Sequence, residues 1–477
     1  MSSLAEPVAG QPEARGGNLA SLASIQVFRM GSGVAVNLVL MRSLGVEGFG
    51  VYGYVTTLVG LASFGSSLGM DRLIKREIAR DEASAGRYVA TALAASTLLS
   101  LVTGVAIGGW VWLADGRAEV VVAAALATLA VGLHSLATMP ISYFHAIRRM
   151  GLSVHGNLAG RAVLVLATVL LLWLELGVLA VFVAQVLDAA VMLLFVGLRY
   201  RRMSAPPLTT GWTEVRGLIG AAVPFGLNSL FVQIYLGVDV LLLAWIRGDA
   251  EVGVYRGAVM LLALFPIVAD TLSTGLYPRM ARHVGRADLA GSEVRFAARI
   301  LLAISVPAAV GGVLTAGPLM VFLGGPAFAS SALPFAVLAP LLPLRFLNNS
   351  YGMTLSALDR QGHGTRGAFY AAALNVCVNL FVIPRWGAVG AAATTVFTEA
   401  MLLVWMYAQV APLVNGMRLR HTLMRVAIPA AAMAAGLLLL PPVHVLVQIG
   451  LGATLYVACG LSTGAFHPRD LGRLRSV

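Results

Sequence analysis

Apolar residues run along this chain in segments of about twenty, separated by short polar joins that carry most of the arginines. A run of that length crosses the roughly 30 Å hydrocarbon layer as a helix, in which every backbone polar group is satisfied within the segment. The pattern predicts helices over residues 19–41, 50–70, 87–114, 119–145, 153–174, 177–198, 215–246, 253–277, 296–323, 332–357, 366–384, 387–411, 422–440 and 443–466. The expected fold is therefore an all-α integral membrane protein with about 14 transmembrane helices.

The stretch from Asn228 to Arg282 shows the repeating device: two spanning runs, a short charged turn between them, and arginines at the close. The same hairpin occurs earlier. Gly48-Phe49-Gly50-Val51-Tyr52-Gly53 matches Val252-Gly253-Val254-Tyr255-Arg256-Gly257, and the step from Gly50 to Gly253, 203 residues, is also the step from Arg76 to Arg279. Leu176-Gly177-Val178-Leu179-Ala180 ahead of Asp188 resembles Trp386-Gly387-Ala388-Val389-Gly390 ahead of Glu399. Two parallel six-helix bundles follow, over 19–202 and 203–412, with a disordered cytoplasmic tail at 1–18 and two additional helices and a cytoplasmic tail over 413–477. Internal repetition in a helical membrane protein points to a transporter with a shared central cavity.

Composition agrees with embedding. Hydrophobic residues make up 58% of the chain and charged ones 11%, against about a quarter charged in soluble domains. The net charge of +12 is explained by topology rather than by a nucleic-acid partner. Arg72, Lys75, Arg76, Arg80 and Arg87 follow the second run, Arg148 and Arg149 the fourth, Arg199, Arg201 and Arg202 the sixth, and the series continues through Arg279, Arg282 and Arg286 to Arg469, Arg473 and Arg475. The opposite joins hold Arg42, Arg117, Arg247, Arg256 and Arg385. Both termini are expected in the cytoplasm and the chain in the inner membrane. The first run, long and carrying Arg29, is expected to stay as a helix rather than be cleaved as a signal peptide.

Short loops, no phosphate-binding GxxxxGK[ST] loop and no Asp-x-Asp pair argue against an enzyme, a motor or a cofactor. Cys377 and Cys459 lie in apolar runs without metal-ligand spacing, so neither a disulfide framework nor a metal is expected.

Arg42-Ser43-Leu44-Gly45-Val46-Glu47-Gly48-Phe49-Gly50-Val51-Tyr52, followed by Gly69-Met70-Asp71-Arg72 through Arg80, resembles the opening helix pair of the polysaccharide, or oligosaccharide, flippase family. Val238-Asp239, Gly253-Val254-Tyr255 and Tyr277-Pro278-Arg279 are similar to its seventh and eighth helices, and Ile383-Pro384-Arg385-Trp386-Gly387 to its eleventh-to-twelfth turn. The resemblance covers roughly residues 19 to 412 and implies the Wzx-like branch of the multidrug/oligosaccharidyl-lipid/polysaccharide exporter superfamily. It further implies movement of undecaprenyl-diphosphate-linked sugars between leaflets by alternating access, and a lipid-tail groove at the last two helices as in the related lipid II flippases.

A charge within the hydrocarbon costs about 2.5–3.5 kcal/mol on insertion scales, so each needs a partner, a cavity or a route to the interface. Gln26, Arg29, Gly33 and Asn37 share one face of the first helix, and Asn228, Tyr235 and Asp239 one face of the seventh. Arg345, Asn348, Asn349 and Gly352 form a third polar stripe. Arg29, Gln26, Asn37, Asn228, Tyr235, Arg345 and Asn349 are therefore the substrate-binding candidates, the arginine fork suiting a diphosphate. Interhelical hydrogen bonding explains the asparagines equally well, and snorkelling explains Arg29. Asp188, Asp239, Asp270 and Glu399 are candidates for ion coupling, or for structural pairing, Asp239 with Arg256 or Arg247.

The combined reading is a flippase for an undecaprenyl-diphosphate-linked oligosaccharide in cell-surface polysaccharide synthesis. Its expected partners are that lipid-linked oligosaccharide, membrane lipids, and a polysaccharide polymerase or export protein. A cation-coupled multidrug exporter of the same superfamily, with carboxylates and aromatics lining its cavity, is the first alternative. A non-transporting scaffold of a polysaccharide assembly complex is the second.

Overall fold

The computed structural model describes residues 13–203, 210–263, 265–282, 287–414, 419–441 and 443–465. Residues 1–12 of the tail expected over 1–18, together with Arg286, Arg418, Arg469, Arg473 and Arg475, lie outside the described residues, while 13–18 are helical. So do the side chains of Gln26, Arg29 and Asn228, although the backbone at each is helical.

Every regular element among the described residues is helical. In chain order these are α1 (Glu13–Ser67), α2 (Met70–Arg80), α3 (Ala85–Ala114), α4 (Ala118–Ala146), α5 (Val154–Trp173), α6 (Leu179–Arg202), α7 (Trp212–Arg247) and α8 (Asp249–Leu262). There follow α9 (Pro266–Ala281), α10 (Ala287–Gly324), α11 (Ala332–Leu338), α12 (Leu341–Ala357), α13 (Gln361–Val410), α14 (Leu419–Leu439) and α15 (Val445–Ser462). Nine helices among the described residues are long and apolar enough to cross a membrane, ten if the bent pair ending in α11 and α12 counts as one span.

Two of the nine, Met30–Arg80 and Gln361–Val410, run to 51 and 50 residues, about twice what one crossing needs. Each is broken by a glycine: Gly45 at φ 65 in α1 and Gly387 at φ 51 in α13. A side chain at these dihedrals would clash with its own backbone, which glycine avoids. The breaks fall where the sequence joins its first run to its second and its eleventh to its twelfth. The basic cluster after the second run is itself a helix, α2. Met70, Leu73, Ile74 and Ile78 are buried on one side of it, while Arg76 and Arg80 are exposed beside Glu77.

The chain divides into two compact units, one comprising Met1–Val39 with Val55–Gln233, the other Leu40–Tyr54 with Ile234–Val477. In the first, α2, α3, α4 and α6 bury Ile74, Val89, Phe144 and Val196 in one core. The early part of α7 belongs to it as well: Gly226 lies against Leu68, and the Gln233 side-chain amide donates to the Gly60 carbonyl at 2.9 Å.

In the second unit, one core gathers Leu301, Phe346, Tyr351 and Leu402, and another gathers Val252, Tyr255, Leu338, Ile383 and Ala391. Both α14 and α15 pack on α10. The tip of α1 is part of this unit, and its contacts there obey the internal repeat. Gly50 lies on the Asp249 carbonyl and Gly253 on the Val46 carbonyl; 46 to 249 and 50 to 253 are both steps of 203. The two turns thus meet backbone to backbone in a local two-fold arrangement. Arg42 secures the tip by donating from Nε to the Leu323 carbonyl at 3.0 Å and from Nη2 to the Phe322 carbonyl at 2.7 Å. These are carbonyls of the last turn of α10, the negative end of its dipole.

Exposed Trp110, Trp112, Trp173, Trp245 and Trp386 each lie at a helix end or break beside an arginine-poor join. That is the placement of an interfacial aromatic belt.

Candidate functional site

Beyond the Gly387 break, α13 presents Thr395, Thr398 and Glu399 toward neighbouring helices, the last only 3% exposed. Three side chains donate to the Glu399 carboxylate. Arg345 Nε reaches Oε1 at 2.9 Å, the Tyr235 hydroxyl reaches the same oxygen at 2.5 Å, and Asn348 Nδ2 reaches Oε2 at 2.8 Å and the Glu399 carbonyl at 3.1 Å. Arg345 and Asn348 are neighbours on α12 because residues three apart share a helix face. About a third of the Arg345 side chain remains accessible, against 4% for its partner.

One turn along α7 from Tyr235, the buried Asp239 accepts from the Tyr255 hydroxyl of α8 and from the Val240 amide, the latter at 2.9 Å. Tyr255 Oη lies 3.4 Å from Thr395 Oγ1, which returns the network to α13. A further link closes the α13 break: Asn375 donates to Thr398 at 3.3 Å and Asn379 to Asn375 at 3.0 Å. Two polar networks about one turn apart, one centred on Glu399 and one running from Asp239 to Asn379, therefore tie α7, α8, α12 and both segments of α13. In a hydrocarbon surround, hydrogen bonding is what makes such buried groups tolerable; here Asn348 Oδ1 and Asn379 Oδ1 are buried with no hydrogen-bond partner among the described residues.

The predicted residues fall into separate places. Tyr235, Arg345 and Glu399 come together, with Asp239 linked through Tyr255 rather than through Arg247, which stands 4.0 Å from Glu251. Asn349 donates to the exposed Asp270 at 2.6 Å, joining α12 to α9. Asn37 bonds within its own helix, to the Gly33 carbonyl at 2.8 Å. Asp188 sits in the first unit, 3.5 Å from Arg161 of α5. Gln26, Arg29 and Asn228 lie outside the described side chains. Among the described residues, no group of three or more His, Cys, Asp or Glu is placed to hold a metal ion.

Asp188 reaches its position because Gly160 leaves room: a methyl there would press on the Asp188 carboxylate and stand 2.8 Å from its carbonyl oxygen. Gly160→Ala is expected to destabilise the protein by about 1–3 kcal/mol, the usual cost of overpacking. Gly108→Ala, with no described atom within 4 Å of the added methyl, should leave the melting temperature of purified protein unchanged or slightly raised. Equal behaviour of the two variants would show that the close approach is not needed.

The second unit holds two cavities apart from these networks; the resemblance implied a groove at the last two helices, whereas the smaller pocket was missed by sequence reasoning. A largely apolar groove of about 610 Å³ runs beside α10, α14 and α15, walled by Ile304, Pro307, Gly311, Met433, Gly452 and Tyr456. A smaller pocket of about 210 Å³ takes its polar wall from Arg295, Arg299, His421 and Arg425. The signal for the second was present as two basic pairs four residues apart, the spacing that places both members on one face.

Comparison with known proteins adds a family and a fold. The family model for polysaccharide biosynthesis proteins matches residues 16–284. The probable low-salt glycan biosynthesis flippase Agl15 of Haloferax volcanii is 22% identical over 363 residues, covering 76% of each chain. The probable flippase AglR of the same organism is 24% identical over 180 residues, and that match spans 37% of this chain and 38% of the relative's own length. Among solved structures, the lipid II flippase MurJ in an inward closed conformation superposes with a TM-score of 0.77 at 12% identity, over 94% of this chain and 99% of that one. An inward-facing multidrug resistance MATE family transporter of the MOP superfamily gives 0.64 at 16% identity, over 82% and 95%. At these identities the structural likeness is one of fold.

Proposed function

The chain belongs to the polysaccharide biosynthesis protein family, and on that premise we propose that it is a flippase of about fourteen spans that moves an undecaprenyl-diphosphate-linked oligosaccharide across the inner membrane. The observation that carries this reading is the groove along α10, α14 and α15. Its wall is apolar, and glycines at 311, 312 and 452 keep it open. A lipid tail fits that chemistry, and no carboxylate to pair with a cationic drug is among the described lining residues. The polar networks of the second unit tie the later part of α7 to α8, α12 and α13. Arg345, positioned by Glu399 and still partly accessible, is assigned to the sugar-diphosphate together with Tyr235, Asn349, Asn37 and the residues Gln26, Arg29 and Asn228. Outward movement of anionic cargo is favoured by an inside-negative potential, by about 2.3 kcal/mol per charge per 100 mV.

The test is translocation of a labelled undecaprenyl-diphosphate oligosaccharide in proteoliposomes, comparing wild type with Gly311→Phe. The Gly311 position opens into the groove, an added Cβ meeting only Met433 Cε at 3.9 Å, so a larger side chain there is expected to occupy groove space. Wild type should flip the lipid and the variant should be slowed at least about tenfold, equivalent to about 1.4 kcal/mol on the barrier. A wild type that leaves the lipid unmoved but expels cationic drugs would replace this reading with the exporter. One that does neither would favour the scaffold.

A further inference from the structure

Within the second unit, α9 turns Leu272 and Leu276 into the core and leaves Asp270 and Tyr277 exposed, seven residues apart and so on one helix face. On α12, Phe346 and Leu347 enter the same core, while Arg345, Asn349 and Gly352, spaced four and three apart, form a partly accessible face. The two faces join where Asn349 Nδ2 donates to Asp270 Oδ1 at 2.6 Å. A methyl added at Gly352 would meet no described atom within 4 Å, so space lies open on that face. Asp270 stands seven residues inside the end of the span predicted over 253–277, about 10 Å along the helix. An exposed carboxylate at that depth marks a water-filled face, because facing hydrocarbon would cost it about 2.5–3.5 kcal/mol. Among the described residues its hydrogen-bond partner is the neutral Asn349 amide.

We propose that Asp270, Asn349 and Tyr277 form a subsite for sugar hydroxyl groups, by which the protein tells a glycosylated lipid carrier from a bare one. The proposal rests on the flippase reading and adds to it the residues that recognise the glycan. A hydroxyl both donates and accepts, and neighbouring hydroxyls of a sugar ring do so side by side. Asp270 offers its second carboxylate oxygen as an acceptor, and Asn349 offers a carbonyl oxygen and a further N–H, so the pair presents both functions in adjacent positions. The bond between them holds both side chains in place before a ligand arrives, which lowers the ordering cost of binding. Tyr277, about 10 Å further along α9, supplies an electron-rich ring face for the C–H side of a second sugar ring. The negative charge of Asp270 keeps a diphosphate off this pair and toward Arg345, one turn away on α12. That same guanidinium disfavours a cationic drug beside Asp270.

The measurement is direct binding to the full-length protein in neutral detergent by native mass spectrometry. Three probes are used: undecaprenyl diphosphate, the same lipid carrying a disaccharide of N-acetylglucosamine, and ethidium. Wild type should bind the glycosylated lipid at least about tenfold more tightly than the bare one. Asp270→Ala and Asn349→Ala should each collapse that ratio to about threefold or less. Asp270→Asn removes the charge but keeps hydrogen bonding, and should retain most of the preference. Tyr277→Phe, which keeps the ring face, should resemble wild type, and Tyr277→Ala should lose part of the ratio. Gly352→Leu fills the open space without altering the Asp270–Asn349 pair and should also reduce the preference. Melting temperatures measured without lipid show which variants are folded; if the alanine variants are not, Asp270→Asn and Gly352→Leu carry the comparison.

Three results would overturn the assignment. The first is equal affinity of wild type for the glycosylated and the bare lipid. The second is an undiminished ratio in the folded alanine and leucine variants. The third is ethidium binding that Asp270→Ala and Asp270→Asn both abolish, which would make Asp270 a cation site. Failure of the underlying reading looks different: wild type then prefers the glycosylated lipid in detergent yet does not translocate it in proteoliposomes. Translocation by wild type without any preference removes the sugar subsite and leaves the flippase.

Discussion

Arg345→Leu is expected to lower the stability of the folded protein by about 3–5 kcal/mol, the range for stranding one member of a buried ion pair. Its partner Glu399 is 4% exposed on its side chain and would keep only Tyr235 and Asn348 as donors. Glu399→Leu should cost less, because a third of the Arg345 side chain is accessible and a long arginine can turn its head toward a polar surface. Replacing both, Arg345→Leu with Glu399→Leu, removes the charge problem altogether and should recover much of the loss, as apolar replacements of buried pairs often do. Thermal denaturation in detergent, followed by fluorescence-detected size exclusion, gives all four corners of the cycle. Additive losses in the double variant would mean that the two side chains do not act together, and a larger loss in Glu399→Leu would reverse the assignment of which charge is trapped.

This pair shows where the reading of the sequence stopped. Arg345 and Glu399 each stood out as a charge in an apolar run, one read as a substrate contact and the other as a carboxylate for ion coupling or structural pairing, with no partner named. Nothing in a linear pattern states that α12 and α13 bring them to 2.9 Å, since helix periodicity reports which face a residue occupies and not what that face meets. Asn348 and Asn349 make the same point: adjacent in sequence, they point to different partners, Glu399 and Asp270. The pocket arginines drew no notice, Arg299 lying in the first turn of the predicted span over 296–323 and Arg295 just before it, where topology alone accounts for a charge.

The fold was more legible, because spanning length and arginine distribution are one-dimensional signals. The 203-residue repeat, read from Gly50 and Gly253, reappears as a physical contact between the repeated turns. What the hydropathy pattern did not show was the continuity of α1 and α13 through their glycine breaks, since two spans joined by a single positive-φ residue and two spans joined by a loop have nearly the same apolar profile. It also passed over α2, whose charged residues read as a loop although four buried apolar residues between them make it an amphipathic helix.

Gly253→Ala and Gly50→Ala are expected to behave alike, which is the sharpest consequence of that contact. A methyl on Gly253 would be driven into the Val46 carbonyl and one on Gly50 into the Asp249 carbonyl. Both obstacles are backbone, so no rotamer change relieves them, and the turns must separate. Each variant should lose about 1–3 kcal/mol or more in melting experiments. The two residues guard one interface, so the double variant should lose clearly less than the sum, since the first methyl has already parted the chains that the second would push. Gly220→Ala, with no described atom within 4 Å of the new methyl, serves as the control for glycine replacement in a helix. A tip of α1 that merely rested near the α7–α8 turn would show neither the matched losses nor the shortfall in the double variant. If Gly253→Ala melts like Gly220→Ala, the repeat survives as a pattern in the sequence, and its two turns carry no shared contact in the folded protein.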